Sequence, residues 1–222
     1  METPVDTQKT QPLIIILESA PLKLGTIGKE VVLINSEEHS TYIKKKLNQD
    51  PAKYRPDITH QCLLTLLDSP LNKSGRLKIF VRTSENVLIS IDPSVKIPRT
   101  YKRFASLFAQ LLQKLKIRAV NSSKTLLKVI KNPIHDHLPI NTLKIGTSTM
   151  GKLVDINAYV REHKPDTPIA YIIGAVSKGN PGMECGYADD VIKVSNYSLS
   201  ASNCAFKIIN AYESLWAVES FE

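Results

Sequence analysis

The chain of 222 residues is 42% hydrophobic and 23% charged, which suits one sizeable core and excludes bulk disorder. Lys and Arg number 29 against 21 Asp and Glu, a net charge of +8, so an anionic partner is favoured, nucleic acid before anionic lipid. Three scattered cysteines, Cys62, Cys185 and Cys204, with no C-x-x-C, exclude a disulfide frame and a cysteine-built zinc site and fit a reducing compartment.

The opening "METPVDTQKTQP" reads as a disordered tail over residues 1–12, followed by a single domain over 13–222. "PLIIILESAPLKL" is too short to cross a bilayer, and its apolar run at 13–17 predicts a buried parallel strand. "SEEHSTYIKKKL" predicts a helix with Ser36 as its cap. "ITHQCLLTLLDSP" predicts another, with Ile58, Cys62, Leu63, Leu66 and Leu67 on one face and Pro70 at its end. "RLKIFVRT" and "NVLISID" form a strand pair joined by residues 84–86. The pair interrupts a helix–strand alternation, so 73–97 is a candidate insertion.

"RTYKRFASLFAQLLQKLKI" is the clearest helix, with Phe104, Leu107, Phe108, Leu111, Leu112 and Leu115 at helical spacing. The short apolar runs "LLKVI", "TLKIG", "PIAYIIGAV" and "DDVIKVS" follow, separated by helical or loop stretches. This alternation predicts an α/β fold with a mostly parallel sheet. Ligands of such sheets bind beyond the carboxyl ends of strands, which points to three exits: "KIGTSTMGK", "YIIGAVSKGNPG" and "VSNYSLS".

"GTSTMGK" has the spacing of a phosphate-binding loop, but Leu153 stands where a magnesium-holding hydroxyl belongs; "GAVSKGN" has Asn180 after its second glycine. A P-loop nucleotide protein is therefore the poorer alternative. Gly174, Gly179 and Gly182 make either a bare floor for a planar ligand or an ordinary loop. After "VSNYSL", Ser200 can cap a helix whose apolar face is Ala201, Ala205, Ile208, Ile209, Tyr212 and Leu215. That segment reads either as a main-chain pocket or as a plain turn.

Lys96, Arg99, Lys102 and Arg103 crowd "VKIPRTYKRF", either to grip phosphates or as a solvated face. In "YRPDITHQ", Asp57 is placed to cap the helix from Ile58 and to pair with Arg55. His60 lacks companions at ligand spacing, so no metal is expected. Cys62 and Cys204 fall on apolar helix faces as buried thiols.

"RPDITHQCLLTLLDSPLN", "IPRTYKRF", "LLKVIKNPI" and "VSNYSLSASNCAFKIINAYESLW" closely resemble the eukaryotic ribosomal RNA small-subunit pseudouridine-N1-methyltransferase family, of the SPOUT class. The resemblance runs over nearly the whole chain from Leu13 on. It implies a mostly parallel sheet with helices on both faces and a C-terminal trefoil knot. It further implies S-adenosyl-L-methionine as cofactor, a homodimer with small-subunit ribosomal RNA across it, and a nuclear, nucleolar role in ribosome biogenesis beside assembly factors.

By motif, Thr147, Gly174, Gly179, Val194, Ser195, Asn196, Tyr197, Ser198 and Leu199 would contact the cofactor. Arg55, Asp57, Lys96, Arg99 and Arg103 would contact RNA, with Asp57 and Arg55 as the catalytic pair. Lys96 departs from an expected Arg and so gives up bidentate geometry. An RNA-binding assembly factor without turnover is the alternative within the same fold. The last helix, with Tyr212, Leu215 and Trp216 as a broad apolar surface, is the expected dimer contact.

Overall fold

A computed structural model describes residues 11–120, 122–164 and 167–218. Most of the expected tail therefore lies outside the described residues. The apolar run becomes β1 (Leu13–Ala20), buried along almost its whole length. A strand covered on both faces has no reason to alternate polar and apolar residues. A small layer follows: β2 (Leu24–Ile27), β3 (Glu30–Leu33) and helix α1 (Ser40–Lys46). Then come α2 (Pro56–Leu67), α3 (Pro70–Lys73), β4 (Leu77–Thr83), β5 (Leu88–Ile91) and α4 (Tyr101–Lys114). The remainder is β6 (Lys116–Arg118), β7 (Thr125–Ile130), β8 (Leu143–Leu153), α5 (Ile156–Arg161), β9 (Ile169–Gly174), α6 (Pro181–Glu184), β10 (Asp190–Lys193) and α7 (Ala201–Leu215).

The main sheet has the order β10-β8-β9-β1-β4-β5-β7-β6. Its first five strands are mutually parallel, and the last three extend it antiparallel. The fold is thus α/β with a mostly parallel sheet. The strand pair near 73–97 is not an insertion. β4 lies in the middle of the sheet, in register with β1 from Leu13 opposite Leu77 onward. What stands apart is the β2–β3 hairpin with α1, which has its own small core of Ile34, Ile43 and Tyr54.

The two faces are covered differently. Side chains of α2, α4, α5 and α7 pack with Leu13, Ile15, Leu17, Ile79 and Ile173 on one side. Ile14, Ile16, Phe80 and Ile172 point the other way, under the short helical turn Ile134–His137 and the segment after α6. Among the described residues no helix is long and apolar enough to cross a membrane.

Three local expectations shift. Helix α1 starts at Ser40, not after Ser36, because Asn35 Oδ1 accepts the Glu38 amide at 2.8 Å and the Asn35 amide donates to His39 Nδ1 at 3.1 Å. These turn bonds compete with helix over residues 36–39. Leu115 leaves the apolar face of α4: it ends the helix at φ 62 and is 56% exposed. Tyr212 is not surface but core, 2% exposed, with its hydroxyl 3.4 Å from that of Tyr171 on β9.

Candidate active site

The three strand exits converge, and glycines are the reason they can. Val191 and Ile192 are consecutive on β10, yet they lie opposite Gly146 and Lys152 on β8. Residues 147–151 therefore leave the ladder as a bulge. Lys152 and Leu153 rejoin the ladder and 143–153 is strand throughout, so "GTSTMGK" never opens a helix and the phosphate-loop reading fails. A Cβ on Gly146 would collide with the Gly182 carbonyl, and one on Gly182 with the backbone of Thr147 and Ile172. Without side chains, α6 presses directly on β8 and β9. Gly174 meets the Pro181 ring in the same way, its imagined Cβ 2.8 Å from Cδ. Gly179 supplies the φ of +100 that turns the loop over the exits.

Asn180 ties the walls together. Its Oδ1 accepts from Ser148 Oγ at 2.8 Å and from Thr149 Oγ1 at 3.3 Å. Thr147 is spoken for as well: its hydroxyl donates to the Ile172 carbonyl at 3.1 Å, joining β8 to β9. The result is a cleft of about 420 Å³ between these loops, the segment before α7 and the start of α2. Of the expected contact residues, Thr147, Gly174, Gly179, Val194, Ser195, Tyr197, Ser198 and Leu199 line it; Asn196 does not.

The polar segment before α7 behaves unlike a plain turn. Ser200 caps α7 by accepting the Asn203 amide at 3.3 Å, as the sequence predicts. Residues 195–199 make no backbone–backbone hydrogen bond within the described chain; the Tyr197 amide bonds only Ser195 Oγ, at 3.0 Å. Main-chain groups facing a cleft must find partners in water or ligand. Ile173, Val176, Leu199, Ala201 and Cys204 add apolar wall.

At the mouth stands Arg55, with Ile58 and Gln61 of α2 beside it. Asp57 does not cap α2. Pro56 occupies the first turn, where a missing N–H does no harm, and Asp57 follows it as the acidic residue of that turn. Both Asp57 oxygens are taken by Arg55: Nε to Oδ1 at 2.8 Å and Nη2 to Oδ2 at 2.6 Å. That bidentate bond is the main cause holding the guanidinium pKa above its ordinary value. Asp57 itself is not among the lining residues.

Lys96, Arg99 and Arg103 do not line the cleft. Arg55 precedes α2, whereas Arg99 reaches Asp68 just past its other end at 3.5 Å, about 18 Å along a twelve-residue helix. Lys96 and Arg99 border a separate groove between α2 and residues 93–99. All three basic residues are exposed.

Sequence reasoning missed Ser148, Asn180, Ile58 and Gln61. The last two had a signal: 55, 58 and 61 form one helical stripe. Ser148 and Asn180 had none, being brought together only by the β8 bulge. Among the described residues no cluster of His, Cys, Asp or Glu could hold a metal ion.

Burial pushes the Cys62 thiol from 9.0 up to about 12 and that of Cys204 up to about 11. Unfolded thiols ionise first as pH rises, so their contribution to stability is complete below about pH 9 and fades toward 11–12. The melting temperature is expected to fall between pH 9 and 11, and less steeply in a Cys62→Ala, Cys204→Ala variant. Identical pH profiles would contradict the burial argument.

An α/β protein with a ligand cleft over parallel strand exits, lined by glycines, hydroxyl side chains, apolar residues and an arginine, is the class that fold and site define. Residues 15–213 match the EMG1/NEP1 methyltransferase family, and the chain belongs to that family. It is 46% identical over 208 residues to the ribosomal RNA small subunit methyltransferase mra1 of Schizosaccharomyces pombe, covering 92% of this chain and 58% of that protein. It is 42% identical to the ribosomal RNA small subunit methyltransferase NEP1 of Homo sapiens, covering 93% and 82%. The crystal structure of Archaeoglobus fulgidus Nep1 bound to S-adenosylhomocysteine superimposes with a TM-score of 0.73 at 21% identity, over 94% of this chain and 99% of that one. That likeness establishes the fold.

Proposed function

We propose that the protein transfers a methyl group from S-adenosyl-L-methionine to N1 of a pseudouridine in small-subunit ribosomal RNA. The observation that carries this reading is the convergence of three strand exits on one cleft, lined by Ser195, Tyr197, Ser198 and Leu199, which make no backbone–backbone hydrogen bond among the described residues. The family membership and the names of the relatives support it. The residues fit the cofactor: main chain at 195–199 suits its polar ends, and Ile173, Leu199 and Ala201 suit its flat apolar parts. When bound, it supplies an electrophilic methyl on a sulfonium sulfur.

The chain's own part is alignment and charge. Arg55 faces the cleft and stabilises negative charge growing on the uracil ring as N1 loses its proton. Asp57, with both oxygens engaged, is a positioning residue that fixes the guanidinium plane. The N1 proton is then left to water. Asp57, expected as half of the catalytic pair, then acts through Arg55 and not on the proton. Titrating the protein with S-adenosyl-L-methionine and, separately, with ATP and magnesium tests the reading. Saturable binding of the first alone is expected; binding of ATP alone would overturn it.

The reading includes RNA held by Lys96, Arg99 and Arg103, whose exposed charges support it. Arg99→Ala with Arg103→Ala is expected to weaken hairpin RNA binding and flatten its salt dependence by about one unit of slope per lost phosphate contact. An unchanged slope would remove both residues from the interface.

A homodimer, a knotted C-terminal third, a nucleolar location and contact with assembly factors complete the proposal. Because Tyr212 is core, the exposed Phe206, Tyr197 and Leu215 around α7 carry the dimer reading in its place. Sedimentation at micromolar concentration should give a dimer, and Phe206→Asp a monomer. A monomeric parent would contradict it.

A further inference from the structure

A second cavity of about 300 Å³ opens beside the cleft, sharing Val176 and Ser177 with it. It sits beyond the carboxyl ends of β1, β4 and β9. The chain leaving β1 goes on to β4 on one side, and the chain leaving β9 goes to β10 on the other. The pair β1/β9 thus flanks the point where strand order reverses, where open parallel sheets take ligands. Methyl transfer as described above makes no use of this place.

Its walls are fixed by bonds of their own. Glu18, 3% exposed, receives the Tyr187 hydroxyl at 2.5 Å and Arg82 Nη1 at 3.2 Å. Its Oε1 also accepts the amide of Ser19, which is held at φ 58, a conformation few non-glycine residues adopt. The Ser84 amide donates to the Ala20 carbonyl at 2.9 Å. Across the cavity, Ser177 Oγ donates to the Ala52 carbonyl at 2.6 Å, tying the exit of β9 to the small layer.

The charges are unevenly committed. Lys23 pairs with Glu85 at 3.1 Å, and Asp50 accepts the Ala52 amide at 3.0 Å. Lys53 and Lys178 are exposed on the rim, with no carboxylate in ion-pair reach among the described residues. Pro21, Val176 and Tyr54 supply apolar surface. Two lysines without an ion-pair partner outnumber the one such carboxylate, Asp50, and with Ser84 and the apolar residues of the same cavity they match a phosphate joined to a flat ring.

We propose that this cavity holds one nucleotide of the RNA strand adjacent to the target base, its phosphate between Lys53 and Lys178 and its base on the floor. The proposal rests on the methyltransferase reading. It makes the cavity a determinant of sequence context, since an unstacked neighbour can be read where a paired one cannot.

The test uses the full chain, a hairpin RNA with pseudouridine in its loop, and versions abasic at either flanking position. The parent should bind one abasic hairpin about tenfold more weakly than the intact RNA. Ser84→Trp, on an exposed turn, should fill the cavity, bind the intact hairpin about tenfold more weakly and ignore the abasic lesion. Lys53→Ala with Lys178→Ala should flatten the salt dependence by about one to two units. S-adenosylhomocysteine affinity should stay at the parent's value in every variant, which separates this cavity from the cleft. Intact-RNA binding by Ser84→Trp equal to the parent, with undiminished abasic effects, overturns the proposal; if that variant does not fold, an unchanged salt slope in the lysine pair does so. Competition by a free nucleoside monophosphate without any effect of the lysine pair on RNA would reassign the cavity to a free nucleotide, also against the proposal. A parent that binds and methylates no RNA would fail the methyltransferase reading instead, and this inference with it.

Discussion

Arg55→Ala is expected to slow single-turnover methyl transfer by about a hundredfold to a thousandfold, with cofactor affinity nearly unchanged. Removing one donor aimed at developing negative charge has effects of that order. Arg55→Lys should recover little, because an ammonium cannot make the two parallel bonds that Nε and Nη2 make to Asp57. Asp57→Asn keeps one acceptor and loosens the guanidinium without removing it, so a loss of only about tenfold is expected. Single-turnover rates on a pseudouridine hairpin separate the roles. A larger loss in Asp57→Asn than in Arg55→Ala would assign proton acceptance to Asp57 and contradict the positioning role.

Closing the cleft should abolish cofactor binding while the fold survives. Ala201→Trp places an indole at the start of α7, from a residue that lines the cleft. The affinity for S-adenosylhomocysteine should fall at least about a hundredfold, about 2.8 kcal/mol. Gly174→Val should give the same loss by a different route. Its Cβ strikes Pro181 rather than a ligand, so the loop at 175–180 must move and the melting temperature should drop too. Calorimetric titration and a thermal melt on both variants check the pair. Parental affinity in a folded Ala201→Trp protein would place the cofactor elsewhere.

The parts of this molecule that follow from local pattern were readable in the sequence. The buried β1, helix α4 through Leu112, the Ser200 cap and the three strand exits all depend on residues within a few positions of one another. What escaped depends on distant contact. Gly146 and Gly182 are 36 positions apart, and only the sheet order makes their backbones touch. The bulge at 147–151 imitates a phosphate loop in one dimension and is strand in three. Tyr212 falls on the apolar face of α7 in the sequence, but that this face meets Tyr171 of β9 and not a partner subunit depends on distant contact. The pair 73–97 looked inserted because its strand β4 crosses over to β1, which local alternation cannot reveal. At the site, the pairing of Arg55 with Asp57 was legible, but which of the two faces the cleft was not.

The most direct test of the account is single-turnover transfer of a labelled methyl from S-adenosyl-L-methionine to two RNA hairpins that differ only in having pseudouridine or uridine at the target position. Label is expected at N1 of the pseudouridine and none on the uridine hairpin, whose N1 is already bonded to ribose. Equal labelling of both hairpins, or no labelling of either by protein that binds the cofactor, would contradict it.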